Sequence, residues 1–308
     1  MEKPRLIVIA GPTASGKSAC AVKLCKLMSG EVVSADSMQI YRGMDIGTAK
    51  PSTADMEGVP HHMLGVADPR ERWSAARYRQ AALPVIYNII SRGNQPVLCG
   101  GSGLYIDAVT KPIGFAQMGD DNIRARLTAI TEQPDGHMIL HDMLKAADPD
   151  RAARLHVNDT RRVIRSLEIH ELTGMTMSEL AAIDARRDSA FDLTMFGLSW
   201  PRDVLYERID RRVDDMIQNG LIREVEGLIK SGAFDGSTAA QALGYKEIAA
   251  SLMNGCRPED MIGAVKQATR NYAKRQLIWF RRDARVTWID AAGRTADEIA
   301  REMLGRIS

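Results

Sequence analysis

A chain of 308 residues is longer than one compact core usually holds, so we expect one large domain with a smaller insertion. Its hydrophobic fraction of 45% and formal net charge of +2 neither require nor exclude a nucleic-acid partner. The apolar start is too short for a secretory signal, and no apolar run approaches the roughly 20 residues that span a bilayer. The four cysteines contain no C-x-x-C pair, which indicates neither zinc nor disulfides and favours buried free thiols. We therefore expect a soluble, cytoplasmic protein with no membrane partner.

Short apolar runs with the length of β-strands alternate with helical stretches along most of the chain. The runs are residues 6–10, 31–35, 96–99, 193–199 and 286–289. This alternation predicts an α/β fold, a P-loop NTPase-like parallel sheet flanked by helices, with ligands at the carboxyl ends of the strands. The pattern becomes wholly helical from about Phe115, so we expect residues 115–192 to be an inserted all-helical subdomain. Residues 1–114 and 193–308 would then form the catalytic core.

The segment after the first run matches G-x-x-x-x-G-K-[ST] in full, between a predicted strand and a predicted helix. Its residues are Gly11, Pro12, Thr13, Ala14, Ser15, Gly16, Lys17 and Ser18. The glycines let backbone N–H groups converge on phosphate oxygens, and the helix N-terminus adds partial positive charge. Lys17 supplies a full charge, and the Ser18 hydroxyl can ligate Mg²⁺. The segment predicts a P-loop that binds a phosphate or a diphosphate, and leaves open which.

An acidic residue, Asp36, ends the second run and should therefore face the P-loop. It could accept a proton from a nucleophile, hold Mg²⁺ through water, or merely cap a turn with Ser37. A Gly-rich turn at residues 100–103 follows the third run, at the same edge of the sheet. Its backbone could approach a ligand there.

Basic residues cluster near the C-terminus, in the segment RNYAKRQLIWFRRDAR that begins at Arg270. Helical spacing predicts an apolar stripe beside a basic stripe, with aromatic residues interleaved. The apolar stripe is Ala273, Leu277, Phe280 and Ala284; the cations are Arg270, Lys274, Arg275, Arg281, Arg282 and Arg285. The pattern fits either a solvated helix face or a contact with a nucleic-acid backbone that includes some stacking by Tyr272 and Trp279.

Two other helices carry spaced arginines. Arg208 and Arg212 are four residues apart and share a helical face, from which they could clamp a diphosphate. Arg161, Arg162 and Arg165 lie within one arc of another helix. The adjacent His61 and His62 have no carboxylate at suitable spacing, so we predict a structural role for them.

Several segments, in order along nearly the whole chain, together resemble the tRNA dimethylallyltransferases. They are GPTASGKS, SADSMQIYRGMDIGTAKP, VPHHML, GGSGLYI and NYAKRQLIWFR. The resemblance implies transfer of a dimethylallyl group from dimethylallyl diphosphate to N6 of the adenosine immediately 3′ of a tRNA anticodon, releasing diphosphate. The P-loop would then hold the donor's diphosphate rather than ATP.

The same resemblance implies roles for individual residues. Asp36 would be the general base, while Lys17 and Ser18 would hold the diphosphate with Mg²⁺, assisted by Arg212. The implied tRNA contacts are Asp36, Ser37, Met38, Gln39, Ser102, Arg124, Arg161, Arg162, Val163, Ile164 and Arg165. Gln39 could read the adenine edge with its paired donor and acceptor.

Other functions fit parts of the pattern. A P-loop small-molecule kinase would use ATP as donor, and an adenylate isopentenyltransferase would prenylate a free nucleotide. A non-catalytic, RNA-binding NTPase switch is a third alternative. The long helical insertion and the arginine-rich helices favour a macromolecular acceptor. The sequence carries no signal for an oligomer, so a monomer is the expectation.

Overall fold

The computed structural model describes residues 2–112, 119–235 and 237–307, apart from the side chains of Ala185, Pro258 and Glu259. The strands in these residues are β1 Arg5–Ala10, β2 Gly30–Ser34, β3 His61–His62, β4 Gln95–Gly100, β5 Asp192–Ser199 and β6 Val286–Asp290. The helices from α1 to α7 are Lys17–Leu27, Thr53–Met56, Ala75–Ser91, Gly103–Thr110, Asp121–Ile130, Gly136–Ala147 and Pro149–Ala152. Those from α8 to α14 are Thr160–Thr173, Met177–Ala185, Arg202–Gln218, Leu221–Lys230, Tyr245–Met253, Ile262–Arg281 and Ala296–Arg306.

The strands form one parallel sheet in the order β3-β2-β4-β1-β5-β6, which confirms the predicted α/β class. Its register aligns the carboxyl ends of the three strands that matter most. Ala10 of β1 lies opposite Gly100 of β4, and Ser34 of β2 lies opposite Cys99. The segments after these strands therefore meet at one edge of the sheet.

Strand β1 is apolar from Leu6 to Ala10 because both faces of the sheet are covered. Leu6 and Val8 pack into a core that includes residues of α3 and α10–α13, while Ile7 and Ile9 pack into a second core with α1 and α14. All four side chains are fully buried. The sheet edge and the segments that follow it are thus fixed from both sides.

The short edge strand β3 is the element that the sequence pattern missed. Its two histidines make local contacts: His61 Nδ1 lies 2.9 Å from the Val59 carbonyl oxygen, and His62 Nε2 lies 2.7 Å from the Glu31 carboxylate. These contacts agree with the structural role predicted for the pair. The cysteine prediction was right for Cys20, Cys25 and Cys99, which are buried and free, and wrong for Cys256, which is exposed.

The chain divides into two compact units, residues 1–110 with 191–308, and residues 111–190. The predicted boundary between residues 114 and 115 lies outside the described residues. The second unit contains α5–α9, and its own core is built from residues such as Leu127, Leu140 and Leu167. Across the described part of the chain, no helix has the length and apolar character needed to cross a membrane.

Candidate active site

The P-loop lies where predicted, between the end of β1 and the start of α1. Its backbone turns through left-handed conformations, with φ of 62° at Ala14 and 89° at Gly16. Successive amides in such a turn form a concave site for an anion, and the N-terminus of α1 points into the same place.

Side chains from distant elements hold the P-loop in this shape. Trp200 Nε1 donates to the Ser15 carbonyl oxygen (2.9 Å), and Arg208 Nε donates to the Ala14 carbonyl oxygen (2.9 Å). The Arg208 guanidinium also stacks 4.2 Å from the centre of the Trp200 ring. From α13, Gln276 accepts a bond from Thr13 N (2.9 Å). Arg208 is therefore a support of the loop's backbone as well as a nearby charge.

Two cations, Lys17 and Arg212, and the buried Ser15 hydroxyl lie at the P-loop. Burial lowers the pKa of both Lys17 and Arg212, because few groups around them compensate for lost hydration. Within the described residues, Arg212 Nε and Ser15 Oγ are buried without any hydrogen-bond partner. Buried polar atoms are normally satisfied. Both residues lie at the P-loop, on the lining of one cavity.

Asp36 follows β2, and its charge acts on both Lys17 and Arg212. Its Oδ1 atom accepts bonds from Met38 N (2.9 Å) and Gln39 N (3.3 Å), which fixes the carboxylate in a tight turn. These bonds cap the turn, as one of the alternatives predicted, and they also fix the orientation of the Asp36 carboxylate.

The glycine-rich turn after β4 supports the Asp36 turn directly. Ser102 Oγ accepts from Ser37 N (2.9 Å) and donates to Ser37 Oγ (3.1 Å). A Cβ at Gly100 would stand 2.1 Å from the Ala35 carbonyl oxygen, so only glycine fits this close approach. Ser37 and Ser102, two predicted tRNA contacts, are therefore neighbours beside Asp36.

The Gln39 side chain forms hydrogen bonds within the protein, whereas it was predicted to read the adenine edge. Its Nε2 donates to the carbonyl oxygens of Thr48 and Ala49 (3.2 Å each), and its Oε1 accepts from Ser34 Oγ (3.0 Å). Both N–H groups are used, so reading the adenine edge would require these bonds to break. In this conformation Gln39 holds the loop at residues 48–49 beside the Asp36 turn.

These segments surround a cavity of about 620 Å³. Its polar lining includes Lys17, Asp36 and Arg212, and apolar side chains from α10–α13 and the segment before α12 line the rest. Val213, Met216, Leu221, Leu243 and Val265 belong to that apolar set. The cavity can therefore hold a ligand with an anionic group and a small hydrocarbon group.

Ser18 is the side chain predicted to ligate Mg²⁺, and it lies exposed at the N-terminus of α1, on the cavity wall. The described residues contain no group of three or more histidine, cysteine or acidic side chains that could hold a metal by themselves. A hydroxyl beside an anion site fits a cation whose other ligands come from the bound anion and from water.

The cations predicted on α13 fall into two groups. Arg270 binds Asp210 on α10 (2.7 Å), and Arg285, beyond the end of the helix, binds Asp283 (2.6 Å). The others are exposed and form no ion pair within the described residues: Lys274, Arg275, Arg281 and Arg282. Ala284 was wrongly assigned to the apolar stripe, because α13 ends at Arg281 and Ala284 is exposed.

The predicted tRNA contacts of the second unit are also divided. Val163 and Ile164 are buried in that unit's core, so their side chains cannot contact a ligand in this conformation. Arg124 and Arg165 each donate to the buried carboxylate of Glu168 (2.7 Å). The remaining two, Arg161 and Arg162, are exposed, and Arg162 binds Asp159 (2.7 Å).

Gln276 is the most consequential residue that the sequence interpretation missed. It is buried on α13 and bridges the two glycine-containing turns, because its Oε1 accepts from Thr13 N and its Nε2 donates to the Gly101 carbonyl oxygen. A signal was present. Gln276 lies three residues after Ala273 and four before Phe280, on the buried face of the helix, where a polar side chain requires partners.

A P-loop beside an oriented carboxylate, at the edge of a parallel sheet, defines a P-loop α/β protein. The family model described as IPP transferase matches residues 39–283. This chain belongs to the IPP transferase family.

Named relatives and solved structures support the same family assignment. A tRNA dimethylallyltransferase from Halalkalibacterium halodurans is 46% identical over 289 residues, covering 94% of this chain and 91% of that protein. One from Geobacter metallireducens is 43% identical over 306 residues, covering 99% and 98%. The structure of the tRNA isopentenylpyrophosphate transferase from Bacillus halodurans is similar, with a TM-score of 0.73 at 44% identity, covering 99% and 96%. A eukaryotic dimethylallyltransferase, captured acting on tRNA, has a TM-score of 0.82 at 31% identity, covering 94% and 74%.

Proposed function

We propose that this chain transfers a dimethylallyl group from dimethylallyl diphosphate to N6 of the adenosine immediately 3′ of the anticodon in tRNA, and releases diphosphate. The observation that carries the proposal is the cavity of about 620 Å³, which joins the P-loop and Arg212 to an apolar wall, with Asp36 on its lining. Such a lining complements a diphosphate that carries a five-carbon hydrocarbon group. It also supplies a base for an amine acceptor.

In the proposed reaction, the N6 nitrogen of adenosine attacks the carbon of the donor that bears the diphosphate. A bond forms between nitrogen and carbon, the carbon–oxygen bond breaks, and its electron pair leaves with the diphosphate. The N6 amine is a poor nucleophile, because its lone pair is delocalised into the ring. Asp36 accepts the proton that the nitrogen loses, a role that contributes about 10²–10⁴-fold to such reactions.

The leaving diphosphate gains negative charge as the carbon–oxygen bond breaks. The P-loop amides, Lys17 and Arg212 stabilise that charge, and Gln276 and Arg208 hold the backbone of the loop in place before the reaction begins. Ser15 and Arg212 both line the cavity that would receive the departing oxygens. Mg²⁺, held by Ser18 and the diphosphate, would neutralise part of the charge when bound.

The acceptor is proposed to be tRNA. An adenosine stacked in an anticodon loop must leave its stack to enter a pocket of this kind. The exposed cations of α13 and of α8 are the groups that we propose contact the phosphate backbone, and Ser37, Met38 and Ser102 are proposed to contact the nucleotides near Asp36. We further propose that the enzyme acts as a cytoplasmic monomer.

The alternatives are less well supported. Membership of the IPP transferase family does not favour a small-molecule kinase, and the relatives above are named for tRNA rather than for free nucleotides. Gln276 also couples the basic helix α13 to the P-loop, an arrangement that a metabolite kinase does not need.

The direct test combines purified protein, Mg²⁺, labelled dimethylallyl diphosphate and unmodified tRNA. We expect label at the adenosine beside the anticodon, and a loss of about 10²–10⁴-fold in Asp36→Asn with retained affinity for inorganic pyrophosphate. Asp215→Asn, an exposed acid on α10, is the matched control and should retain full activity. Absence of label in tRNA, with ATP consumed against a small acceptor, would refute the proposal.

A further inference from the structure

One carboxylate on α11, that of Glu224, collects four donors. Its Oε2 accepts from Asp45 N (2.9 Å) and Ile46 N (2.8 Å), and its Oε1 accepts from Gly47 N (3.1 Å). The fourth donor is the hydroxyl of Tyr245 on α12, 2.5 Å from Oε1. Three consecutive amides of one loop are thus gathered on a side chain about 180 positions away in the sequence.

The same loop is pressed against the ring of Tyr245. A Cβ at Gly47 would stand 2.4 Å from the ring and 2.7 Å from the Leu221 side chain. The ring is fully buried, so it cannot move aside cheaply. The position of the loop is therefore fixed by hydrogen bonds to Glu224 and by contact with Tyr245.

A chain of contacts connects this loop to Asp36, the proposed base. Gly47, Thr48 and Ala49 line the cavity. Thr48 and Ala49 accept both N–H groups of the Gln39 side chain. The Gln39 backbone N–H in turn donates to Asp36 Oδ1 (3.3 Å). Each of these links is a hydrogen bond or a peptide bond, so a displacement of the loop must also displace the Gln39 side chain.

We infer that Glu224 is a positioning residue for the transfer reaction: it fixes the loop at residues 45–49, which holds Gln39 and thereby the turn that orients Asp36. The inference rests on the proposed function for its catalytic consequence. Because the P-loop is held from Trp200, Arg208 and Gln276 instead, binding of the diphosphate should not depend on Glu224.

Glu224→Gln and Glu224→Ala test the inference, with Glu226→Gln as matched control on the same helix. The Glu226 side chain makes no hydrogen bond or ion pair within the described residues. An amide at position 224 would turn an N–H group towards the loop amides, so even the isosteric change removes bonds. Small displacements of reacting groups can cost up to about 10²-fold, and we expect kcat to fall about tenfold or more in both variants. Affinity for inorganic pyrophosphate should stay within about twofold of wild type.

Amide hydrogen exchange supplies a readout that does not need activity. In both variants we expect faster exchange at Asp45, Ile46 and Gly47, and also at Met38 and Gln39, whose amides donate to Asp36. Tyr245→Phe, which removes one donor and keeps the ring, should give a smaller effect of the same kind.

Unchanged exchange at Met38 and Gln39, or a kcat equal to that of Glu226→Gln, would overturn the inference. A parallel loss of pyrophosphate affinity and thermal stability would also overturn it, since that pattern marks a general structural role. If wild-type protein transfers no dimethylallyl group, the proposed function fails while the exchange experiment still decides whether Glu224 positions the Asp36 turn.

Discussion

Arg212 lowers the free energy of unfolding, and we attribute the presence of this destabilising arginine to a role in ligand binding. Its pKa is lowered by burial, and its Nε is buried without a partner in the described part of the chain. A buried donor without a partner costs about 1–3 kcal/mol. Residues that destabilise the folded state in this way are often ones whose strained or unsatisfied conformation the activity requires.

Arg212→Met should therefore separate stability from function. We expect the free energy of unfolding to stay equal or to rise by about 1 kcal/mol, because methionine fills the space without a buried charge. Transfer activity should fall about 10²-fold or more, since a charge on the leaving diphosphate loses its partner. Denaturant unfolding and the labelled transfer assay give the two numbers. Arg211→Met, an exposed neighbour on α10, should change neither, and a large loss of stability in Arg212→Met alone would contradict this account.

Individual site residues were predictable from sequence where one local rule placed them. The P-loop has its own motif, and Asp36 follows a strand whose carboxyl end must face that loop. The rule fails where a side chain's partners come from far along the chain. Gln39 binds the carbonyl oxygens of a following loop, and Arg124 and Arg165 share the buried Glu168. Spacing alone carries no information about those partners.

At the scale of single elements, α13 is coupled to the sheet edge by Gln276. A Cβ at Gly101 would stand 2.2 Å from Gln276 Nε2, and one at Gly103 would stand 2.4 Å from the Trp279 ring. The helix thus lies against the glycine-rich turn at two points. Its sequence predicted the buried face and the basic face, but the hydrogen bonds from Gln276 to the turns required the fold.

Gln276→Leu should loosen the P-loop. The change leaves Thr13 N and the Gly101 carbonyl oxygen without their partner, at a cost of about 1–3 kcal/mol for each group that stays buried. We expect affinity for inorganic pyrophosphate to fall about tenfold or more, measured by calorimetry, because the Thr13 amide is no longer held. Gln267→Leu changes an exposed residue of the same helix and serves as control. Equal pyrophosphate affinity in the two variants would argue against coupling through Gln276.

Glu31, the second residue of β2, is a buried charge that should make the free energy of unfolding depend on pH. Hydrogen bonds from Arg92, and also from His62 and Asn94, lower the pKa of Glu31 to about 2, against an ordinary value of 4.5. Because the folded pKa is the lower one, the stabilisation is fully present above about pH 4.5 and is lost as the pH falls towards 2. The difference corresponds to at most roughly 3 kcal/mol.

Glu31→Gln should be less stable than wild type at pH 7 and should lose less stability on acidification from pH 5 to 3. Urea unfolding at several pH values measures both effects. Glu207→Gln, an exposed change on α10, should follow the wild-type curve. An unchanged slope in Glu31→Gln would show that the cluster around Glu31 does not control acid stability.

For the whole molecule, sequence patterns predicted the sheet but gave a weaker account of the charged surface. The run of apolar residues in β1 follows from a sheet covered on both faces. The two-residue β3 is too short for any periodicity to register. The basic segment at residues 270–285 resembled one continuous surface, yet the fold assigns Arg270 and Arg285 to ion pairs within the chain.

A net charge of only +2 gives the molecule little overall attraction for tRNA, so local groups of cations must supply it. Each phosphate contact contributes about 0.7–0.9 to the slope of log affinity against log salt concentration. The exposed Lys274 and Arg281 of α13, with Arg282 directly after it, are the side chains best placed to contribute. Wild-type affinity for tRNA should fall steeply with salt.

Changing Lys274, Arg281 and Arg282 to alanine together should lower that slope by roughly 2–3 and weaken binding most at low salt. The matched control changes Lys266 and Arg270 of the same helix, which already bind Asp214 and Asp210. Their charges are neutralised within the chain, so the control should keep nearly the wild-type slope. Filter binding of tRNA from low to moderate salt measures all three proteins. If the control lowers the slope as much as the test variant, internal pairing does not decide which cations contact the RNA.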